Sequence, residues 1–392
     1  MSLFHWAPCL FCALGFGFQV EHVSRKPGSS ARAGLIHTPH GSIPTPAFVP
    51  VATNGALKGV SAAQAEECGA QLIFCNTFHL LVHPGADTVA SGGGLHGYMG
   101  RSAPIITDSG GFQVFSLAQR CASDGPELKQ RKVRRPGERG LVTSVSERGV
   151  AFRSYFDQSL IELTPESSVV AQKQLGADII LPLDELPGQY VCRERLAQSV
   201  ALSHRWMSRS LAVHLSDPRG QAMYGVLHGG TDRQLRAESA QFLSDAPFDG
   251  YAIGGSLGRD HDEMISLLEY VTPLLCKVER PRHLLGIGDE RGIRRAAALG
   301  IDSMDSCFPT RIARHGCLLT RAGRIHIKSA KYKKDFGPID PTLSTVDASR
   351  AYMHHCYRMH EPLFVSLASL HNLQYMNALM TELRQRILCD DL

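Results

Sequence analysis

Met223-Tyr224-Gly225-Val226-Leu227-His228, then residues 233–244, then Tyr251-Ala252-Ile253-Gly254-Gly255 follow one another as strand, helix and strand. The outer segments are short apolar runs that end in a polar or glycine turn, and the middle one has helical spacing. Six more runs of the first kind lie at 45–53, 72–76, 104–108, 179–184, 283–287 and 301–305. Helical stretches separate most of them, among them 165–176 and 262–275. Strand and helix repeated eight times predict an α/β fold, a (β/α)8 TIM barrel. Asn76, Asp108, Asp184, His228, Gly255 and Asp305 then stand at the C-terminal strand ends, where such barrels build active sites. That placement points to an enzyme.

The chain has 392 residues, enough for two average domains or one large α/β barrel with an appendage, and its 43% apolar and 20% charged residues are ordinary for a globular protein. A net charge of +4 is too small to name nucleic acid as a partner, although local clusters of Lys and Arg would suffice to grip one. Eleven scattered cysteines read as reduced thiols of a cytoplasmic protein, and Cys9-x-x-Cys12 lacks a second pair at zinc spacing. Residues 1–17 are apolar, too short for a membrane span and not preceded by Lys or Arg. They are read as an extension, either a loosely attached tail or an over-extended start. The core is placed at 18–310, with a basic insertion at about 120–148 that carries Lys129-Gln130-Arg131-Lys132-Val133-Arg134-Arg135. A small α+β subdomain is expected over 311–392, with a β-like basic stretch at 323–334 and a helical tail at 349–388.

Two stretches carry the chemistry: Thr107-Asp108-Ser109-Gly110-Gly111-Phe112-Gln113 and Gly300-Ile301-Asp302-Ser303-Met304-Asp305-Ser306-Cys307-Phe308-Pro309-Thr310-Arg311. Each sets a carboxylate just past an apolar run. A lone Asp there is commonly a turn former or a helix cap. A pair can divide glycosyl chemistry, one attacking the sugar carbon and the other moving protons. Together with Asn76-Thr77-Phe78-His79-Leu80, Asp184-Glu185, Gly250-Tyr251-Ala252-Ile253-Gly254-Gly255 and His371-Asn372-Leu373, they resemble the tRNA-guanine transglycosylases, or queuine tRNA-ribosyltransferases.

The resemblance implies exchange of guanine 34 in tRNAs with G-U-N anticodons for a free 7-deazaguanine base. Asp305 would be the nucleophile and Asp108 the proton acceptor and donor, with the carboxyls roughly 5 Å apart. Ser109, Gly110, Gly111, Phe112, Asp184, His228, Gly255 and Gly258 would form the base site. Phe112 would stack on the ring, with plain core packing as the alternative reading. His228 stands where the family commonly has Gln, which makes base recognition more pH-sensitive. Gly258, where many bacterial relatives have Val, is expected to widen the pocket for queuine, while Leu186 refills part of it. Gly286, Ile287, Gly288, Asp289, Glu290, Arg291 and Gly292 resemble one RNA-contacting loop, and Thr310, Arg311, Ile312, Ala313 and Arg314 another. Lys328, Lys331, Lys333 and Lys334 would extend this basic surface.

The family holds its C-terminal subdomain with zinc on three cysteines and a histidine. His371 remains, but Thr342-Leu343-Ser344-Thr345-Val346-Asp347 is cysteine-free, so no structural zinc and no other cofactor is expected. Packing would then hold the subdomain, with His371 as a hydrogen-bonded core residue. A homodimer is expected by resemblance. A non-catalytic tRNA-binding partner subunit is the alternative function, weighed against by the presence of both Asp108 and Asp305. A metal-dependent barrel hydrolase would need more clustered His and Asp than His228 supplies.

Overall fold

The computed structural model describes residues 15–118, 142–188, 191–276 and 279–392. Eight parallel strands follow in chain order: β1 (Ala47–Pro50), β2 (Ile73–Cys75), β3 (Ile105–Thr107), β4 (Ile179–Ile180), β5 (Ala222–Leu227), β6 (Gly250–Ile253), β7 (Arg282–Leu284) and β8 (Ser303–Ser306). From β2 onward each pairs with the next, and β8 returns to β1, with Met304 opposite Phe48 and Asp305 opposite Val49. The seam between β1 and β2 closes through a parallel bridge from Val51 to Phe74, with Ala52 N donating to Phe74 O at 2.7 Å. The result is the predicted (β/α)8 barrel. Most of its strands are shorter than the apolar runs, and several are displaced from them by a residue or two. Every residue of β5 and β6 is buried, as expected where the barrel lumen and the helices cover both faces.

Local signals explain the helices. Thr164 caps Pro165–Leu175 reciprocally with Ser167, proline occupies the first turn, and Gly176 ends the helix at φ +69°. Arg233–Asp245 starts on Asp232, whose side chain accepts from Leu235 N at 3.0 Å. After β3 a helix, Gly111–Ala118, leads towards the insertion. Val142–Val145, near the end of the expected insertion, forms a three-stranded antiparallel sheet with Val150–Arg153 and Leu160–Leu163, so the excursion reaches further along the chain than 148. The basic run 129–135, the pair Cys9 and Cys12 and the whole of 1–14 lie outside the described residues.

The C-terminal region combines a hairpin, Cys317–Thr320 with Gly323–His326, a 3-10 turn at Ala330–Lys334 and helices Arg350–Arg358 and Pro362–Leu388. Asn372 on the last helix is buried and satisfies three backbone groups. It accepts from Leu319 N (2.8 Å) and donates to Pro309 O and Cys317 O (both 3.0 Å). The same helix continues onto the barrel, where Arg384 donates to Gly34 O (3.0 Å) and Thr45 O (2.6 Å). Just beyond it, Asp390 accepts from Arg25 N at 2.8 Å and lies 2.8 Å from His22 Nε2. Ser24 Oγ donates to Leu392 O at 2.6 Å, so the antiparallel strands Gly17–Val23 and Arg32–Thr38, which precede the barrel, are tied to the last residues.

Candidate active site

The loop after β3 is built around one carboxylate. Asp108 is buried and faces donors on every side. Asn76 Nδ2 donates to Oδ2 at 2.6 Å, while Thr77 N (2.8 Å) and Gly110 N (3.2 Å) donate to Oδ1. These bonds favour the charged form. Loss of hydration opposes them and prevails, pushing the pKa up from 3.8 to about 6. Gly110 has φ +85°, and a Cβ on Gly111 would meet Asp184 O at 2.8 Å. Glycine at 111 thus lets the segment that follows β4 approach closely. Ser109 Oγ then donates to Asp184 Oδ1 at 3.3 Å.

Asp305, near the C-terminal end of β8, accepts from Gly286 N at 2.9 Å, and His283 Nε2 lies 3.2 Å from the same oxygen. The His283 ring is fully buried between Asp305 and Ser303, whose Oγ is 2.8 Å from Nδ1. A carboxylate only accepts, so Nε2 carries the hydrogen and Nδ1 accepts from the serine hydroxyl. Sequence reading placed His283 in a strand but missed this role. Its signal was its place next to the C-terminal end of β7, beside the strand that carries Asp305.

Between β4, β5 and β6 lies a cavity of about 290 Å³ lined by Leu186, Leu196, His228, Gly229, Gly255 and Ser256, among others. His228 Nε2 is buried and stands 3.1 Å from Asp184 Oδ2, an ion-pair distance without the alignment of a hydrogen bond. Glu185 turns away to pair with Arg195. Phe112 is 41% exposed and so is not a fully packed core residue. Gly258 differs from expectation. It has φ +108°, and the nearest atom to a Cβ built there is Glu263 Cγ at 2.7 Å. Backbone conformation and Glu263, rather than room in the cavity, account for this glycine.

The two segments that resemble RNA-contacting loops divide between support and surface. Asp289 caps helix Glu290–Ala298 through Gly292 N (2.9 Å), and Glu290 accepts from the Tyr375 hydroxyl. Ile287, Gly288, Gly292, Thr310 and Ala313 are buried, and Ile312 is half-buried. Arg291 is exposed but ion-paired with Asp262 at 3.1 Å, and Arg314 donates to Thr310 O at 3.1 Å. Arg311, Lys328, Lys331, Lys333 and Lys334 are exposed.

In the C-terminal region His371 is buried and its Nε2 donates to Leu319 O at 2.7 Å, and among the described residues it belongs to no group of three His, Cys, Asp or Glu within reach of one ion. Among the described residues, the cluster with three possible ligands in reach of one another is His40, His96 and Asp178 at the opposite end of the barrel. There the imidazoles stack with centroids 3.5 Å apart and planes 12° from parallel. Lone pairs in parallel planes do not converge on one ion. The rings instead address the Asp178 carboxylate, at 2.7 Å and 3.3 Å.

A parallel barrel with two buried, anchored carboxylates and a polar-tipped cavity at its C-terminal strand ends has the architecture of a barrel enzyme. The profile of a family described as queuine tRNA-ribosyltransferase matches residues 27–392. A protein named queuine tRNA-ribosyltransferase from Protochlamydia amoebophila is 49% identical over 385 residues, which covers 96% of this chain and 98% of that protein. One of the same name from Chlamydia caviae is 48% identical over 379 residues, 96% and 99% of the two chains. The chain belongs to the queuine tRNA-ribosyltransferase family, a family of glycosyltransferases.

Proposed function

We propose that this chain exchanges guanine 34 of G-U-N tRNAs for a 7-deazaguanine base by two displacements at one ribose carbon. An Asp305 oxygen attacks C1′, the C1′–N9 bond breaks, and the departing guanine takes a proton from Asp108. The incoming base gives its N9 proton to the Asp108 carboxylate and attacks C1′. The C1′–O bond to Asp305 breaks, and configuration is retained. Anticodon bases lie in a single-stranded loop, so extrusion of guanine costs only a few kcal/mol.

One observation supports this reading above the others: the two carboxylates occupy unlike settings. Asp108 has a pKa near 6, suited to taking and giving a proton near neutrality. Asp305 is oriented by a backbone N–H and an imidazole. Asp184 would accept from the base N1–H and amine, with His228 Nε2 beside it and Phe112 on the ring face. Queuine is the base we favour, on the name that the family and these relatives carry. A homodimer working in the cytoplasm without zinc belongs to the same reading. No helix among the described residues is long and apolar enough to cross a membrane.

The test is incorporation of labelled guanine, 7-aminomethyl-7-deazaguanine and queuine into an unmodified G-U-N tRNA transcript. Incorporation that disappears with Asp305→Ala supports the enzyme. No incorporation of any base while tRNA still binds would replace it with the partner-subunit reading.

A further inference from the structure

Arg236 lies on helix Arg233–Asp245 and has no exposed surface. Its hydrogen bonds reach four backbone carbonyls. Nε donates to Gly230 O (2.8 Å), Nη1 to Leu227 O (2.6 Å), and Nη2 to Gly254 O and Ser256 O (both 2.9 Å). Leu227 and Gly230 bracket His228 on the β5 loop. Gly254 and Ser256 bracket Gly255 on the β6 loop. One planar fork therefore clamps both cavity-lining loops at once, which the single ammonium of a lysine cannot do.

The loops need such a clamp. Gly229, Gly230 and Gly255 have φ of +127°, +56° and +72°, and without side chains they cannot anchor themselves by packing. A Cβ at 229 would lie 2.6 Å from Arg236 N, so the β5 loop is pressed against the helix that carries the arginine. Three residues on, Ser239 Oγ accepts from His228 N at 3.0 Å and holds the same loop from a second point. A buried guanidinium is expensive in hydration and is normally retained with a carboxylate. Here carbonyl dipoles stabilise the charge. Because the C=O and N–H of a trans peptide point in opposite directions, each carbonyl drawn to Arg236 turns the N–H of the next residue away from it. The cation also polarises those peptides and strengthens them as donors.

We propose that Arg236 is the positioning residue for base recognition: by orienting peptides 227–230 and 254–256 it sets the affinity of the site for the exchanged base. This rests on the base-exchange reading above. The experiment compares wild type with Arg236→Lys, measuring KM for guanine, KM for tRNA and kcat, with wild-type exchange and Asp305→Ala as controls for the reading itself. The expected result is a rise of tenfold or more in KM for guanine, with KM for tRNA within about twofold. A merely structural arginine would reduce the active fraction, lowering apparent kcat and leaving KM for guanine unchanged; that result overturns the proposal, as does a parallel rise in both KM values. Should the variant not fold, hydrogen exchange in the wild type decides. The amide of His228, bonded to Ser239 Oγ on the helix that carries Arg236, is expected to be protected before any base is added, and fast exchange there would refute the clamp. Absence of exchange by the wild type itself would strike the functional reading, leaving the clamp to the hydrogen-exchange result.

Discussion

Replacing Asp108 by Asn should make this protein more stable at neutral pH while removing its exchange activity. The carboxyl has an ordinary pKa of 3.8 and, buried in the barrel mouth, one of about 6. Between those values the folded protein keeps a proton that the unfolded chain releases, so stability falls as pH rises through this window. The full difference corresponds to roughly 3 kcal/mol above pH 6 and to nothing below pH 4. Asparagine never carries the charge. Its carbonyl can still accept from Thr77 N and Gly110 N, and its amide can meet Asn76 once that side chain turns its oxygen inward. The assay is urea unfolding of both proteins from pH 4 to 8. The stability of Asp108→Asn minus that of the wild type should climb by about 2–3 kcal/mol, mostly between pH 4 and 6. The subtraction cancels groups common to both proteins. A flat difference would refute desolvation as the dominant influence on Asp108.

His283→Ala leaves Asp305 with Gly286 N as its remaining donor, and kcat is expected to fall tenfold or more, about 1.4 kcal/mol, with KM for tRNA little changed; wild-type kcat would contradict the orienting role. Gly258→Val forces a branched residue to φ +108° against Glu263 and should cost about 1–3 kcal/mol in urea unfolding, where an unchanged midpoint would show that the loop adapts freely. Asn372→Ala strips three buried backbone groups of their partner and should destabilise by about 2–4 kcal/mol. Chelator treatment, by contrast, should leave the wild-type midpoint unmoved, and a drop with release of zinc would show that a metal holds this region.

Much of the barrel was legible because its strands are fully buried and bounded by turns, a pattern that survives without any contact information. Asp108, Asp184 and Asp305 were legible for a related reason, since a carboxylate at the end of an apolar run is conspicuous. His283 and Arg236 were not. Arg236 sits in a helix between Arg233 and Glu238 and reads as one more solvated charge; only the packing of the helix on two loops shows that it points inward. Gly258 misled because the sign of φ is invisible in sequence, so a missing side chain was read as open space. Phe112 could not be placed on the surface or in the core from its neighbours, since both sides of Gly111–Ala118 are apolar.

The tie between the two ends of the chain has a consequence for how the protein is made. His22 and Asp390 are 368 residues apart in sequence, yet the strands near one and the helix before the other are fastened together. Arg384 holds carbonyls at Gly34 and Thr45, just ahead of β1, so the helix that carries it secures the strand with which β8 must pair. A nascent chain therefore has its first strand long before it has the partner strand or the helix that keeps both in place. Closure of the cylinder becomes a late event during synthesis, with a large loop-closure entropy, and the half-built sheet waits with an open edge until then.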